Sequence, residues 1–541
     1  MTKRTLRLLA IVLALSIALS GCSGLTQLLL DTVQQTQPSD SETSLSFSQM
    51  EYTRPDLDEH DRILENACQV IGETTDIDQA LDQVYTYYDA YDRFYTNYAL
   101  ADIHYSADLT DTYWQTEYEY CAAYEYDVST GLDLLYASLA KSPILDQLES
   151  EDCFGAGFFD GYQEYTQPDE TMTALMAQEV ELQNRYYELS QAAMDMDWYS
   201  QEFYDSYGLE MEQLLVELVA LRQQIAKHAG YDSYPQFAYD AYHYRDYTPD
   251  QVIPYLEQVG QALAPLYRQM AYSPIWEESL NYCTQQQTYA YVSQAAQSMG
   301  GTVAEAFTEM ESRELFDIGY GTNKFDSSFE IYLWSYAAPY VFMNPYKDQT
   351  DKLTFAHEFG HFCNDYVCQG SYAGTDVLEV HSQGMEYMSI LYGSDPAMKQ
   401  YKLLDSLFNY TEQSAYALFE HRLYQLEGND LTVENVRALF DETAYAFGFD
   451  GWGYDSREYL AIPHFYTDPL YVMSYVVSND VAMQLYQLEL ESPGSGLEIY
   501  EAILESHDCY IIAFAESYGL ESPFAPGRLE DVKKTLQEGL Q

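Results

Sequence analysis

His357-Glu358-Phe359-Gly360-His361 places two imidazoles four residues apart with a carboxylate beside the first. On a helix, positions i and i+4 lie one above the other on the same face, so both rings can take a single zinc ion. Glu358 projects about a quarter turn away, where it can reach a water molecule instead of the metal. The chemistry such a set supports is metal-assisted hydrolysis. Zinc lowers the pKa of its water and polarises a carbonyl, while a glutamate takes the water proton and later gives it to the leaving group.

A third ligand is needed. Glu379 lies eighteen residues after His361, in a stretch from Asp376 to Glu386 that reads as a second helix. His381 is the alternative third ligand. Two His and one Glu leave a fourth position open, the arrangement of catalytic zinc, whereas structural sites close all four. Glu386 returns to the same helical face and is either a partner that steadies a ligand histidine or a plain surface carboxylate. Further on, His464, Tyr471 and Tyr475 share one face if a helix already runs through His464. A phenol aimed at the metal can donate a hydrogen bond to the oxyanion of a tetrahedral intermediate.

These residues require elements that hold them. Thr350 or Asp351 can cap the first helix, Leu353–Val367 has helical spacing, and Gly370 is a stop. Gly360 inside that helix costs roughly 1 kcal/mol against alanine, which predicts that another element approaches closely there. Just before it, Phe329–Tyr336 and Tyr340–Asn344 read as two short strands around Ala337-Ala338-Pro339. The second, Tyr340, Val341, Phe342, Met343 and Asn344, is expected to pair with a substrate main chain by strand addition. Elsewhere the apolar residues recur at helical spacing, as in Ile77, Leu81, Val84, Tyr88 and Tyr91, and again in Leu214, Leu215, Leu218, Val219 and Leu221 before Gly230. The fold class is mainly α, a helical lobe facing a catalytic lobe, with a small antiparallel sheet beside the two-histidine helix.

The chain is 541 residues long, 47% hydrophobic, with 24 Lys and Arg against 87 Asp and Glu. That composition gives a globular protein, and it excludes a nucleic-acid partner, which needs basic patches. The acidity is the solvated surface of a protein outside the cell. Lys3, Arg4 and Arg7 precede an apolar run, Leu8–Leu19, too short to span a bilayer, and then Leu19-Ser20-Gly21-Cys22. This resembles a bacterial lipobox. It implies a signal peptide over 1–21, acylation of Cys22 (palmitate among the acyl groups), and a protein anchored by lipid on the extracytoplasmic face of the cell membrane. A polar tether follows to residue 50, then an N-terminal helical lobe over 51–200, a catalytic domain over 201–525 and a tail over 526–541. Cys363 and Cys368 lie five apart on one helix and are not expected to pair.

Three blocks in order resemble the thimet oligopeptidase and oligoendopeptidase F family of zinc peptidases, the oligoendopeptidase F branch most. They are Phe355-Ala356-His357-Glu358-Phe359-Gly360-His361, Leu378-Glu379-Val380-His381-Ser382-Gln383, and Pro463-His464-Phe465-Tyr466 through Tyr471 to Tyr475. Ile225–Tyr231 and Arg245–Pro249 add weaker likeness. The resemblance implies a two-lobed helical body with a deep channel and one zinc ion at its floor, held by His357, His361 and Glu379. It implies an endopeptidase that cuts short unstructured peptides. Glu358 would be the general base. Tyr475, with Tyr471 or His464, would stabilise the oxyanion, and Tyr466 rivals Tyr471 for that part. The lipid anchor departs from the family's common cytosolic location. An exopeptidase of the same zinc class, and a peptide-binding lipoprotein without catalysis, are the alternative readings.

Overall fold

A computed structural model describes residues 45–540 except 151–152, 164, 166–168, 194–195, 371–372 and 452–455. The leader, Cys22 and most of the tether therefore lie outside the described residues. Among the described residues, no helix is long and apolar enough to cross a membrane.

Helices dominate, and the predicted stripes form them. The first stripe becomes Ile77–Ala107, started by Asp76, whose side chain accepts from the Asp78 amide. The second becomes Leu209–His228, and Gly230 follows in the left-handed region at φ +90°. The main hydrophobic core runs from Ala99 and Leu100 of the first helix through Leu215, Phe342, Phe359 and Val476 to Leu536. A smaller core gathers Ala67, Val84, Tyr136 and Phe159 in the N-terminal part.

Three strands interrupt the helices: β1 (Phe316–Asp317), β2 (Ser328–Leu333) and β3 (Ala338–Met343), in the order β1-β3-β2. β2 pairs antiparallel with β3, from Ser328 opposite Met343 to Leu333 opposite Ala338. The reversal between them is a single turn, Trp334–Tyr336, closed by Ala337 at φ +43°. Two expectations are corrected here. The sheet is mixed, because β1 runs parallel to β3. And Tyr340–Asn344 cannot receive a substrate strand, because β3 is the central strand. Val341 and Phe342 pair with Phe316 and Asp317 on one side and with Glu330 and Phe329 on the other, so their backbone groups are already taken.

His357, Glu358, His361, Glu379 and Tyr475 sit on three helices. The histidine helix spans Asp351–Cys368, the glutamate helix Thr375–Tyr392 and the tyrosine helix Val472–Glu491. The Asp351 carboxylate turns back to accept from the amides of Tyr346 and Lys347, fixing the entry of the histidine helix. The helix ends as Gln369 and Gly370 adopt positive φ. At Gly360 an added Cβ would lie 2.6 Å from the His381 carbonyl and 2.6 Å from Ser382 Cα. The glycine thus lets the histidine and glutamate helices touch backbone to backbone, as its cost inside a helix predicted. Asp376 anchors the start of the glutamate helix by accepting from Arg245 and from the Tyr247 hydroxyl. Cys363 and Cys368 are both thiols.

Candidate metal and peptidase site

The helix spacing delivers what it promised. One nitrogen each of His357 and His361 and one carboxylate oxygen of Glu379 lie within 4.8 Å of one another. His357 Nε2 is 3.4 Å, and His361 Nε2 4.0 Å, from Glu379 Oε2. Two imidazole nitrogens and one carboxylate oxygen converging on a small space are a donor set that fits zinc with a position left open. His381 is not part of it: its ring is fully buried and its Nε2 bonds the Ile503 carbonyl at 3.0 Å.

Glu386 is a partner and not a surface carboxylate. Its Oε1 accepts from His357 Nδ1 at 2.9 Å, which turns Nε2 toward Glu379. Burial opposes a charged His357 ring, but the Glu386 bond and the charges of Glu379, Glu386 and Glu358 outweigh it and hold the pKa up at about 9. For His361 burial prevails, with His357 and His381 adding to it, and the pKa falls well below the usual imidazole range. Glu358 is buried beside His357. Burial pushes its carboxyl up to about 7, against the His357 charge and a hydrogen bond with Ser328 of β2. Glu379 accepts from two sides, Tyr471 at Oε1 (3.0 Å) and Ser382 at Oε2 (3.0 Å).

The three downstream rings gather as well, but by a different route from the one expected. No continuous helix runs through them: His464–Thr467 is one short turn, and the tyrosine helix begins only at Val472. Pro469 and Leu470, the latter at φ +67°, break the path. The rings of His464 and Tyr475 still lie 5.3 Å from that of Tyr471, and 6.0 Å from each other. Main-chain bonds hold this loop in place. Tyr186 donates to the Leu460 carbonyl, Arg222 to those of Phe465 and Tyr466, and Gln183 to that of Thr467. His243 Nε2 bonds the Pro469 carbonyl, and the Leu470 amide donates to Glu420. Tyr466 is in the core, stacked 3.8 Å from Tyr186, away from the cleft.

His357, Glu358, His361, Glu379, Tyr471 and Tyr475 open on a cleft of about 590 Å³ whose walls include Ser328, Phe329 and Glu330 of β2; His464 is not among the residues that line it. Residues 47–167 match the family model described as the Peptidase M3 N-terminal domain. That stretch is similar to the N-terminal domain of M3 peptidases. Among solved structures, the chain superposes on PZ peptidase A in its inhibitor-bound form with a TM-score of 0.77 at 18% identity, covering 91% of this chain and 99% of that one. A provisionally assigned oligoendopeptidase F from Bacillus anthracis gives 0.74 at 19%, covering 92% and 98%. Oligoendopeptidase F from Enterococcus faecium gives 0.54 at 16%, covering 89% and 96%. At these identities the likeness shows the fold, which the chain shares with these peptidase structures. No curated protein matches it in sequence.

Sequence reasoning missed Lys402 and Asp405, which also line the cleft. A lysine in a charged amphipathic helix carries no local sign that it points inward. It missed Ser382 for a similar reason, although its i+3 spacing from Glu379 could have revealed it.

Proposed function

We propose that the chain is a zinc-dependent endopeptidase that hydrolyses short extended peptides outside the cytoplasm, held to the membrane by a lipid on Cys22. The observation that carries the reading is the convergence of His357, His361 and Glu379 beside the buried carboxyl of Glu358 in one cleft. One zinc ion held by those three residues supplies Lewis-acid polarisation and an acidified water. Glu358, with a pKa raised by burial to about 7, is matched to taking a proton from water and returning it to the leaving amine near neutral pH. Tyr475 keeps a phenol on the cleft wall, where burial and the nearby carboxylates hold its pKa above the ordinary range. It stays protonated and donates to the oxyanion. Ser328–Glu330 belong to the outer strand β2, and that strand takes the role of main-chain acceptor that β3 cannot fill. The lipid anchor and location rest on residues 1–22 alone.

One feature favours an exopeptidase: Glu330 and Asp365 meet in the cleft wall, where carboxyls can grip an amino terminus. A peptide blocked at both ends decides. Cleavage within it supports the endopeptidase, and turnover confined to peptides with a free terminus supports the exopeptidase.

A further inference from the structure

Lys402, on the helix Pro396–Phe408, is 1% exposed. A lysine this buried is rare and costly unless its charge is met. Its Nζ lies 2.8 Å from Glu386 Oε2 and 3.0 Å from Asp405 Oδ2, and 4.9 Å from the Tyr387 ring centre. Glu386 is thereby held at both oxygens, Oε2 by Lys402 and Oε1 by His357 Nδ1. A carboxylate with one partner can swing about its last torsion, which is broad. One gripped at both oxygens has its plane fixed. Among the described residues, Lys402 is the one Lys or Arg lining the cleft.

We infer that Lys402 is a positioning residue of the metal centre: by gripping Glu386 it fixes the ring of His357, so that Nε2 is presented to the metal in one orientation. The inference rests on the metal-site reading above. It adds a third member to the line that runs from the ligand His357 through Glu386 into the protein. The Lys402 ammonium is spent on Glu386 and Asp405, so its effect on the metal site passes through Glu386.

The test is zinc affinity, measured on metal-stripped full-length protein by competition with a chromophoric chelator, with the visible spectrum of the cobalt form as a second readout. The variants are Lys402→Met, Glu386→Gln and the two combined. Loss of a partner behind a ligand histidine typically weakens metal binding 10–100-fold, and each single variant is expected in that range with a shifted cobalt spectrum. The double variant should bind no more weakly than Glu386→Gln alone, because both changes cut the same line. A Lys402→Met protein that binds zinc within about twofold of wild type, or effects that simply multiply in the double variant, overturn the inference. If Lys402→Met does not fold, the combination Lys402→Gln with Asp405→Asn, which leaves no unmet carboxylate at Asp405, carries the same test with the same criteria. Wild-type protein that takes up no zinc removes the underlying reading, and the inference with it. Zinc uptake by wild type with equal uptake by the variants removes the inference alone.

Discussion

The Tyr471 hydroxyl donates to Glu379 Oε1 across 3.0 Å, so this phenol is engaged on a proposed ligand while Tyr475, one turn on, carries no such bond to Glu379. The two tyrosines should therefore fail differently. Tyr475→Phe removes an oxyanion donor, and kcat should fall about 10²–10³-fold with zinc retained. Tyr471→Phe should instead weaken zinc retention, about tenfold on the scale of lost ligand partners. Zinc content after dialysis, measured beside peptide turnover, separates them. Equal zinc loss in both variants would contradict the division of labour.

The two glutamates divide in the same manner. Glu358→Gln keeps all three ligands but cannot accept a proton near neutrality, and turnover should drop 10²–10⁴-fold with zinc still bound. Glu379→Gln removes a charged donor, and both zinc and turnover should go. Elemental analysis and a peptide assay check the pair; near-normal turnover in Glu358→Gln would defeat the mechanism.

If β2 receives the substrate as an added strand, main-chain amides of the peptide matter at every second position. A series of substrates, each N-methylated at one amide, should show raised KM at alternate residues with kcat little changed. A flat series would mean that side chains, not the strand edge, hold the peptide.

Stability should fall as pH rises above the ordinary carboxyl range. Glu420 is 1% exposed, accepts from the Leu470 amide at Oε1, and has no partner at Oε2. Burial pushes its pKa from 4.5 to about 8. Between those values the folded form holds a proton that the unfolded chain has released, so unfolding becomes easier as pH climbs through that window and levels off above it. Glu412, raised by burial to about 7, acts in the same direction. Thermal melts from pH 4.5 to 8.5 should show a falling Tm, and Glu420→Gln should flatten part of the decline. An unchanged slope in that variant would place the proton elsewhere.

A net charge of −63 should draw cationic peptides toward the protein and repel anionic ones. Matched peptides with Lys or Glu flanks should differ in kcat/KM at low salt and converge at high salt, where screening shortens the field to a few ångströms. Equal rates at low ionic strength would refute the effect.

The cluster of His357, His361 and Glu379 was legible in the sequence because helix geometry converts spacing into facing. The four-position step from His357 to His361 already decides which way the rings point. Gly360 was legible because a costly residue inside a helix implies a compensating contact. Strand order was not: the patterns of Phe329–Tyr336 and Tyr340–Asn344 show two strands, but the partner that makes β3 central is the two-residue β1, too short for any periodicity. The path from His464 to Tyr475 was misjudged because the turn at Leu470 depends on a tertiary bond from Glu420, fifty residues upstream in the chain. Lys402 and Asp405 were invisible for the same kind of reason, since only the folded chain brings them behind Glu386.

The loop that carries His464 and leads into Tyr471 is held by the buried side chains of Phe465, Tyr466 and Leu470 and by polar side chains that bond its carbonyls and the Leu470 amide. The polar anchors recognise the path of the backbone, whatever side chains the loop exposes. Residues displayed there can be exchanged, by evolution or by design, without unfastening the loop. The converse also holds. A lesion at Arg222 or Gln183, on helices that place no residue on the cleft wall, can silence the chemistry while leaving every cleft residue intact. A screen for inactive variants should therefore find a share of its hits in a remote set of polar residues that no inspection of the cleft would single out.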